Sequence, residues 1–195
     1  MKTIIALFLL FFFQSSAYQI GDKVGDFKLK NVDGKEISLS QYANSKGVIL
    51  IFDSNVCPYS RRYNERILAL DKKYAPLGFP VVAVNANDAN QEPGESYDEM
   101  AKYAKERHYT FPYLYDPTQD AVKRFGATNT PHVFILENKS SAWTLAYSGT
   151  IDNYARDAAG VTKRYVEEAT DELLAGKRVT LTKTKAIGCS VKLKK

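Results

Sequence analysis

Gly47-Val-Ile-Leu-Ile-Phe-Asp-Ser-Asn-Val-Cys57-Pro58 is the stretch from which the rest of the chain can be read. The apolar run Val48 to Phe52 follows a glycine without interruption. A run with no polar alternation suits a strand covered on both faces, and such strands belong to sheets with helices on either side. Asp53-Ser54-Asn55 ends the strand. Beyond it Tyr63, Ile67, Leu70 and Tyr74 recur at helical spacing. Pro58 fits the first helical turn, where a missing N–H costs nothing. A buried strand therefore delivers Cys57 to the N-terminus of a helix.

Working outward, Phe79 to Val84 reads as a second buried strand, followed by a loop, Asn85 to Gly94, rich in Asn, Asp, Pro and Gly. Its carboxylates are too few and too irregularly spaced for a calcium loop, and it reads as solvated. Ser96 to Arg107 fits a helix with Ser96 and Glu99 as a capping box. Phe111 to Tyr115 is a short strand, and Thr118 to Phe125 a helix stopped by Gly126. Thr130-Pro131 precedes a strand from His132 to Leu136, whose hairpin partner is Trp143 to Tyr147. Val161 to Leu174 is an amphipathic helix, and Lys177 to Lys195 an extended basic tail. Upstream, Asp33-Gly34 between Phe27–Lys30 and Lys35–Leu39 signals a hairpin. Alternating strands and helices imply an α/β sandwich with a central mixed sheet flanked by helices. The N-terminal hairpin and the C-terminal tail complete one domain over residues 18–195.

Residues 1–17 read as a secretory signal peptide: Lys2, the apolar run Ile4 to Phe13, then small residues ending in Ala17. Cleavage after Ala17 makes the protein exported, periplasmic or secreted. The leader is too short to span a bilayer, and no later segment is apolar enough to do so, so no membrane partner is expected after its removal. The net charge of +5 carries no basic stripe with interleaved aromatics, which argues against nucleic acid as a partner.

The chain has two cysteines, Cys57 and Cys189. That is too few for a disulfide scaffold and suits a reactive thiol with a partner. Unpaired N–H groups and partial positive charge at a helix N-terminus favour a thiolate at Cys57, and Arg61, one turn further on, could add to the effect. His132 follows Pro131 and could approach Cys57 in a supporting role, or be a histidine satisfied at a strand start. No metal site and no cofactor motif is apparent.

The run Phe52-Asp-Ser-Asn-Val-Cys57-Pro-Tyr-Ser, with Tyr63 and Arg66, resembles the active-site segment of a peroxiredoxin-like branch of the thioredoxin superfamily, the AhpC/TSA-like proteins. Gly78 to Asp88, Phe111 to Asp116, Ala127 to Phe134, Gly149 to Asp152 and Ala186 to Lys192 resemble that branch in the same order. The resemblance implies a thioredoxin-like sandwich in which Thr130–Pro131 is cis and lies against Cys57. It implies an antioxidant or redox enzyme whose Cys57 thiolate attacks a peroxide or a disulfide; where no thiol of the chain resolves the product, the reductant is an external thiol. Ser54 would hydrogen-bond the thiolate or the oxidant, Pro131 would shape the groove, and Thr130 would offer backbone contacts. The chain departs from relatives at Ser60 and Ser54, where one or another has a second cysteine, and at Leu50, where peroxiredoxins have proline. A vicinal disulfide is therefore absent. Within the chain only Cys189 is left to resolve an oxidised Cys57; equally open is a tail cysteine that merely packs against the body. Two other functions stay open, a non-catalytic binding module of this fold and a monothiol disulfide reductase or isomerase.

Overall fold

A computed structural model describes residues 17–140 and 142–195, so nearly all of the leader lies outside the described residues. In chain order the elements are β1 (Lys23–Val24), β2 (Lys28–Asn31), β3 (Glu36–Ser38), β4 (Gly47–Phe52), α1 (Pro58–Tyr74), β5 (Val81–Asn85) and α2 (Tyr97–Glu106). Then follow β6 (Tyr113–Tyr115), α3 (Asp120–Phe125), β7 (Asn129–Thr130), β8 (His132–Lys139), β9 (Ala142–Gly149), α4 (Tyr165–Leu174) and β10 (Cys189–Ser190). One sheet runs β1-β9-β8-β4-β5-β6-β2-β3, and β10 pairs with β7 in a second, two-stranded sheet. β4, β5 and β6 are parallel, whereas β8 and β9 are antiparallel to their neighbours. This is a thioredoxin-like sandwich.

The unbroken apolar run is explained by β4, which is buried along its whole length. Ile49 and Ile51 face a core with Tyr63, Ile67 and Leu70 of α1, Met100 of α2 and Val166 of α4. Val48, Leu50 and Phe52 face the opposite core, with Val122 and Phe125 of α3 and Phe134 of β8. Each such side chain contributes about 1.5–3 kcal/mol by leaving water. The N-terminal hairpin turns at Gly34, whose φ of 88° is the left-handed conformation that glycine adopts freely.

Several boundaries differ from the sequence reading. α4 begins at Tyr165 rather than Val161, because the Thr162 and Lys163 N–H groups both donate to Asn153 Oδ1 at 3.0 Å and hold a loop there. The capping box of α2 is half formed. Glu99 N–H donates to Ser96 Oγ at 3.4 Å, but Ser96 N–H turns to the Pro93 carbonyl at 3.2 Å. β1 and β10, two residues each, carry no periodic signal and are additions. Among the described residues no helix is long and apolar enough to cross a membrane.

Candidate active site

β4 and β5 run parallel and end side by side. Their carboxyl ends carry Asp53-Ser54-Asn55 and Asn85-Ala86-Asn87, so polar groups from two strands gather at the edge where Cys57 sits. Cys57 is the N-cap of α1, with extended backbone angles (φ −62°, ψ 120°) and Pro58 directly after it. Its side chain is 2% exposed. The Thr130–Pro131 bond is cis. The Cys57 thiol lies 3.0 Å from the Thr130 carbonyl, which can accept its hydrogen bond.

The tail returns over this edge. β10 pairs antiparallel with β7, with Cys189 opposite Thr130. The two sulfurs, Cys57 Sγ and Cys189 Sγ, stand 2.6 Å apart with no disulfide between them. The strap is held almost wholly by backbone and amide hydrogen bonds. Val191 N–H donates to the Thr128 carbonyl at 3.0 Å, and Asn129 Nδ2 donates to the Gly188 carbonyl at 2.9 Å. Gln119 Nε2 donates to the Lys192 carbonyl at 2.9 Å and Gln119 Oε1 accepts from Lys194 N–H at 2.8 Å. Gly188 allows the close approach: a Cβ there would lie 2.1 Å from the Thr130 carbonyl oxygen.

Burial opposes charge on Cys57, yet hydrogen bonds from the Cys189 thiol, the Ser60 backbone N–H and the Thr130 side-chain hydroxyl outweigh it, and the thiol lies below its ordinary range. Cys189 moves the other way, pushed up to about 11 by burial, by its hydrogen bond to Cys57 and by the negative charge there. Of the two sulfurs, Cys57 is therefore the one favoured as the thiolate and Cys189 the one favoured as the thiol. Initial rates of alkylation against pH are expected to place the Cys57 midpoint below that of an ordinary thiol. Cys189→Ala, which removes the leading donor, is expected to shift that midpoint upward; an unmoved midpoint would contradict this account of the thiolate.

Ser54 has a different role from the one expected. Its hydroxyl donates its single proton to the buried carboxylate of Glu95 and accepts from the Cys57 backbone N–H at 2.9 Å. With that proton committed, Ser54 holds the Cys57 main chain and does not donate to the sulfur. Arg61, expected to favour the thiolate, directs its guanidinium over the Tyr103 ring on α2 at 5.9 Å. The groups that favour the thiolate are Cys189, Ser60 and Thr130 instead. His132 does not serve Cys57 either. Its Nε2 pairs with Ser148 Oγ on the neighbouring strand at 3.1 Å, and its ring lies on Phe134 with centroids 4.3 Å apart. Burial and the charge of Lys183 hold it down at about 4, so it is neutral at physiological pH.

The segment after β5 is packed at both ends and open to solvent between them, at Asn90, Gln91 and Pro93. Asn85, Asn87, Asp88 and Glu95 are all buried. Glu95 was not singled out by the sequence. The available signal was the cluster of amide and hydroxyl side chains at the ends of two adjacent parallel strands, which needs a common acceptor.

Asp53 is also buried, at 1% exposure. One carboxyl oxygen accepts from the Tyr109 hydroxyl at 3.0 Å. The other has no partner, and neither has the buried Ser60 hydroxyl. Burial raises Asp53 to about 6, assisted by the charge of Glu95 and opposed by the hydrogen bond from Tyr109 and by the nearby Ser60 hydroxyl and Ser54 N–H, which lie short of full hydrogen bonds. The folded state therefore binds this proton more tightly than the unfolded chain. Its contribution to stability falls as pH rises from about 4 to about 6 and stays low above that. Asp53→Asn is expected to gain about 2–3 kcal/mol over wild type at pH 7.5 and to lose that advantage near pH 4. Thermal melts at the two pH values check this.

Residues 20–149 match the model of the AhpC/TSA family. The chain is 28% identical over 147 residues to the thiol-disulfide oxidoreductase ResA of Geobacillus thermodenitrificans, covering 70% of this chain and 80% of that protein. The crystal structure of an uncharacterized conserved protein from Geobacillus kaustophilus is similar at a TM-score of 0.83 and 34% identity, covering 90% of this chain and 93% of that one. A hypothetical protein from Sinorhizobium meliloti is similar at a TM-score of 0.83 and 31% identity, covering 92% and 97%. These similarities support thiol oxidoreductase chemistry. The matched stretch runs to the end of β9 and takes in both Cys57 and Pro131, and the chain belongs to the AhpC/TSA family.

Proposed function

We propose that this protein is a thiol–disulfide oxidoreductase whose redox pair is Cys57 and Cys189. The observation that carries the reading is the approach of the tail thiol to within 2.6 Å of a cysteine at a helix N-terminus. The Cys57 thiolate attacks one sulfur of a substrate disulfide, forming a mixed disulfide and releasing the other sulfur as a thiolate that takes a proton from solvent. Cys189, deprotonated, then attacks Cys57, freeing the second substrate thiol. Two electrons have passed to the substrate, and the chain holds a Cys57–Cys189 disulfide. An external dithiol reduces it and closes the cycle.

Peroxide is the weaker substrate on this reading. The Ser54 proton is committed to Glu95, and Leu50 stands where peroxiredoxins have proline. Export with cleavage after Ala17 belongs to the same proposal. On that reading the mature chain starts at Tyr18, whose N–H donates to the Arg124 carbonyl at 2.9 Å and whose hydroxyl accepts from Arg124 Nη2 at 2.6 Å. Side-by-side assays of insulin disulfide reduction and hydrogen peroxide consumption, with dithiothreitol as reductant, test the reading. Accelerated insulin reduction is expected, well above any acceleration of peroxide loss. Acceleration of neither would identify a binding module.

A further inference from the structure

The buried carboxylate of Glu95 lies on the short turn Pro93–Glu95, between β5 and α2, and is 1% exposed. Four donors converge on it. Oε1 accepts from the Ser54 hydroxyl and from Asn87 Nδ2 at 3.1 Å. Oε2 accepts from the Asn55 N–H at 2.9 Å and from Asn85 Nδ2 at 2.7 Å. A carboxylate with its acceptor sites met by donors on both oxygens is a satisfied buried group, and hydrogen bonds to a charge are the stronger kind.

The two partners of Oε1 lead to the two cysteines. Ser54 Oγ accepts from the Cys57 N–H at 2.9 Å. Asn87 Oδ1 accepts from the Lys192 N–H at 2.8 Å, and Lys192 lies three residues beyond Cys189 on the strap. One carboxylate oxygen therefore joins the helix N-terminus that carries the nucleophile to the tail that carries its partner. These elements have no other reason to share an acceptor, since they are 132 residues apart in the chain.

We propose that Glu95 is the positioning residue of the redox pair. By holding Ser54 and Asn87 on one oxygen, it sets the register of Cys57 against Cys189 and so the stability of the disulfide between them. The proposal rests on the reading of those two cysteines as a redox couple. Glu95 touches neither sulfur and acts through the main chain on both sides. Glu95→Gln keeps the shape but turns one acceptor oxygen into a donor. In either amide orientation the new donor faces donors already in place: Ser54 and Asn87 where it replaces Oε1, the Asn55 N–H and Asn85 Nδ2 where it replaces Oε2.

The test is equilibration of the full chain in dithiothreitol redox buffers, followed by alkylation and mass measurement of the fraction carrying the Cys57–Cys189 disulfide. Glu95→Gln is expected to lower the equilibrium constant for the disulfide by at least about tenfold, the scale of one lost hydrogen bond to a charged group. Ser54→Ala and Asn87→Ala, each cutting one arm, are expected to lower it by smaller factors. Wild-type constants in folded Glu95→Gln, Ser54→Ala and Asn87→Ala proteins together overturn the proposal, even if their melting temperatures have dropped, because a merely structural network would move only the latter. If Glu95→Gln does not fold, the single-arm variants decide, and wild-type constants in both overturn it. A wild-type chain that forms no such disulfide in any buffer overturns the redox couple itself, a result distinct from unmoved constants in the variants.

Discussion

Cys189→Ser is expected to convert a catalytic cycle into a single covalent capture. With the tail sulfur replaced, Cys57 still attacks a substrate disulfide, but no second thiol stands beside it to release the product. Mixed disulfides should accumulate with a stoichiometry of one per chain, and steady-state turnover should fall to the rate at which external dithiol resolves them. Cys57→Ser should also abolish turnover but capture nothing. The contrast is the informative part, because both variants lose activity while only one leaves a covalent adduct. Non-reducing electrophoresis after exposure to a disulfide substrate reads it directly. Equal capture by both variants would remove Cys57 as the nucleophile.

Gly188→Val is expected to separate the two sulfurs without touching either. A Cβ at this position would lie 2.1 Å from the Thr130 carbonyl oxygen and 2.7 Å from its carbon, both main-chain atoms that cannot move aside cheaply. The strap must lift, and β10 with it. Reacting groups displaced by an ångström commonly lose about a hundredfold in rate, so formation of the Cys57–Cys189 disulfide in the variant is expected to slow by about that factor. Alkylation of Cys57, compared at a pH above the midpoint of both proteins, should quicken, since the tail covers it in the wild type and leaves it 2% exposed. Opposite movements of the two rates are the signature of a displaced strap; a slowing of both would indicate general damage to the fold.

The centre of the molecule was legible because its signals are local. The run from Gly47 to Phe52 is buried throughout, and the spacing Tyr63, Ile67, Leu70, Tyr74 places four buried residues on one face of α1. Together a buried strand and an amphipathic helix on either side of it are enough to put Cys57 at a helix N-terminus. Cys189 was legible as a candidate by count, there being two cysteines, but its path was not. A two-residue strand has no periodicity, and the strap is held by main-chain groups and amides that no side-chain pattern announces. Glu95 was illegible for a related reason. Its four partners lie at positions 54, 55, 85 and 87, and they meet only because β4 and β5 end side by side. In the linear sequence it is an acidic residue just beyond a stretch of Asn, Asp, Pro and Gly, Asn85 to Gly94, that reads as a solvated loop. Arg61 shows the limit of spacing arguments. One helical turn places it near Cys57, but spacing does not say which way the side chain leaves the helix, and it lies over Tyr103 instead. His132 was placed correctly at the start of β8, yet its partner, Ser148, comes from the next strand of the sheet.

The most direct test of the paired-thiol account is peptide mapping of the wild-type chain after one equivalent of oxidant, with free thiols blocked before digestion. The account predicts a Cys57–Cys189 linkage within a single chain as the dominant product, whether the oxidant is a disulfide or hydrogen peroxide. A stable sulfenic acid or substrate adduct on Cys57, with Cys189 recovered in its blocked, free-thiol form, would contradict it.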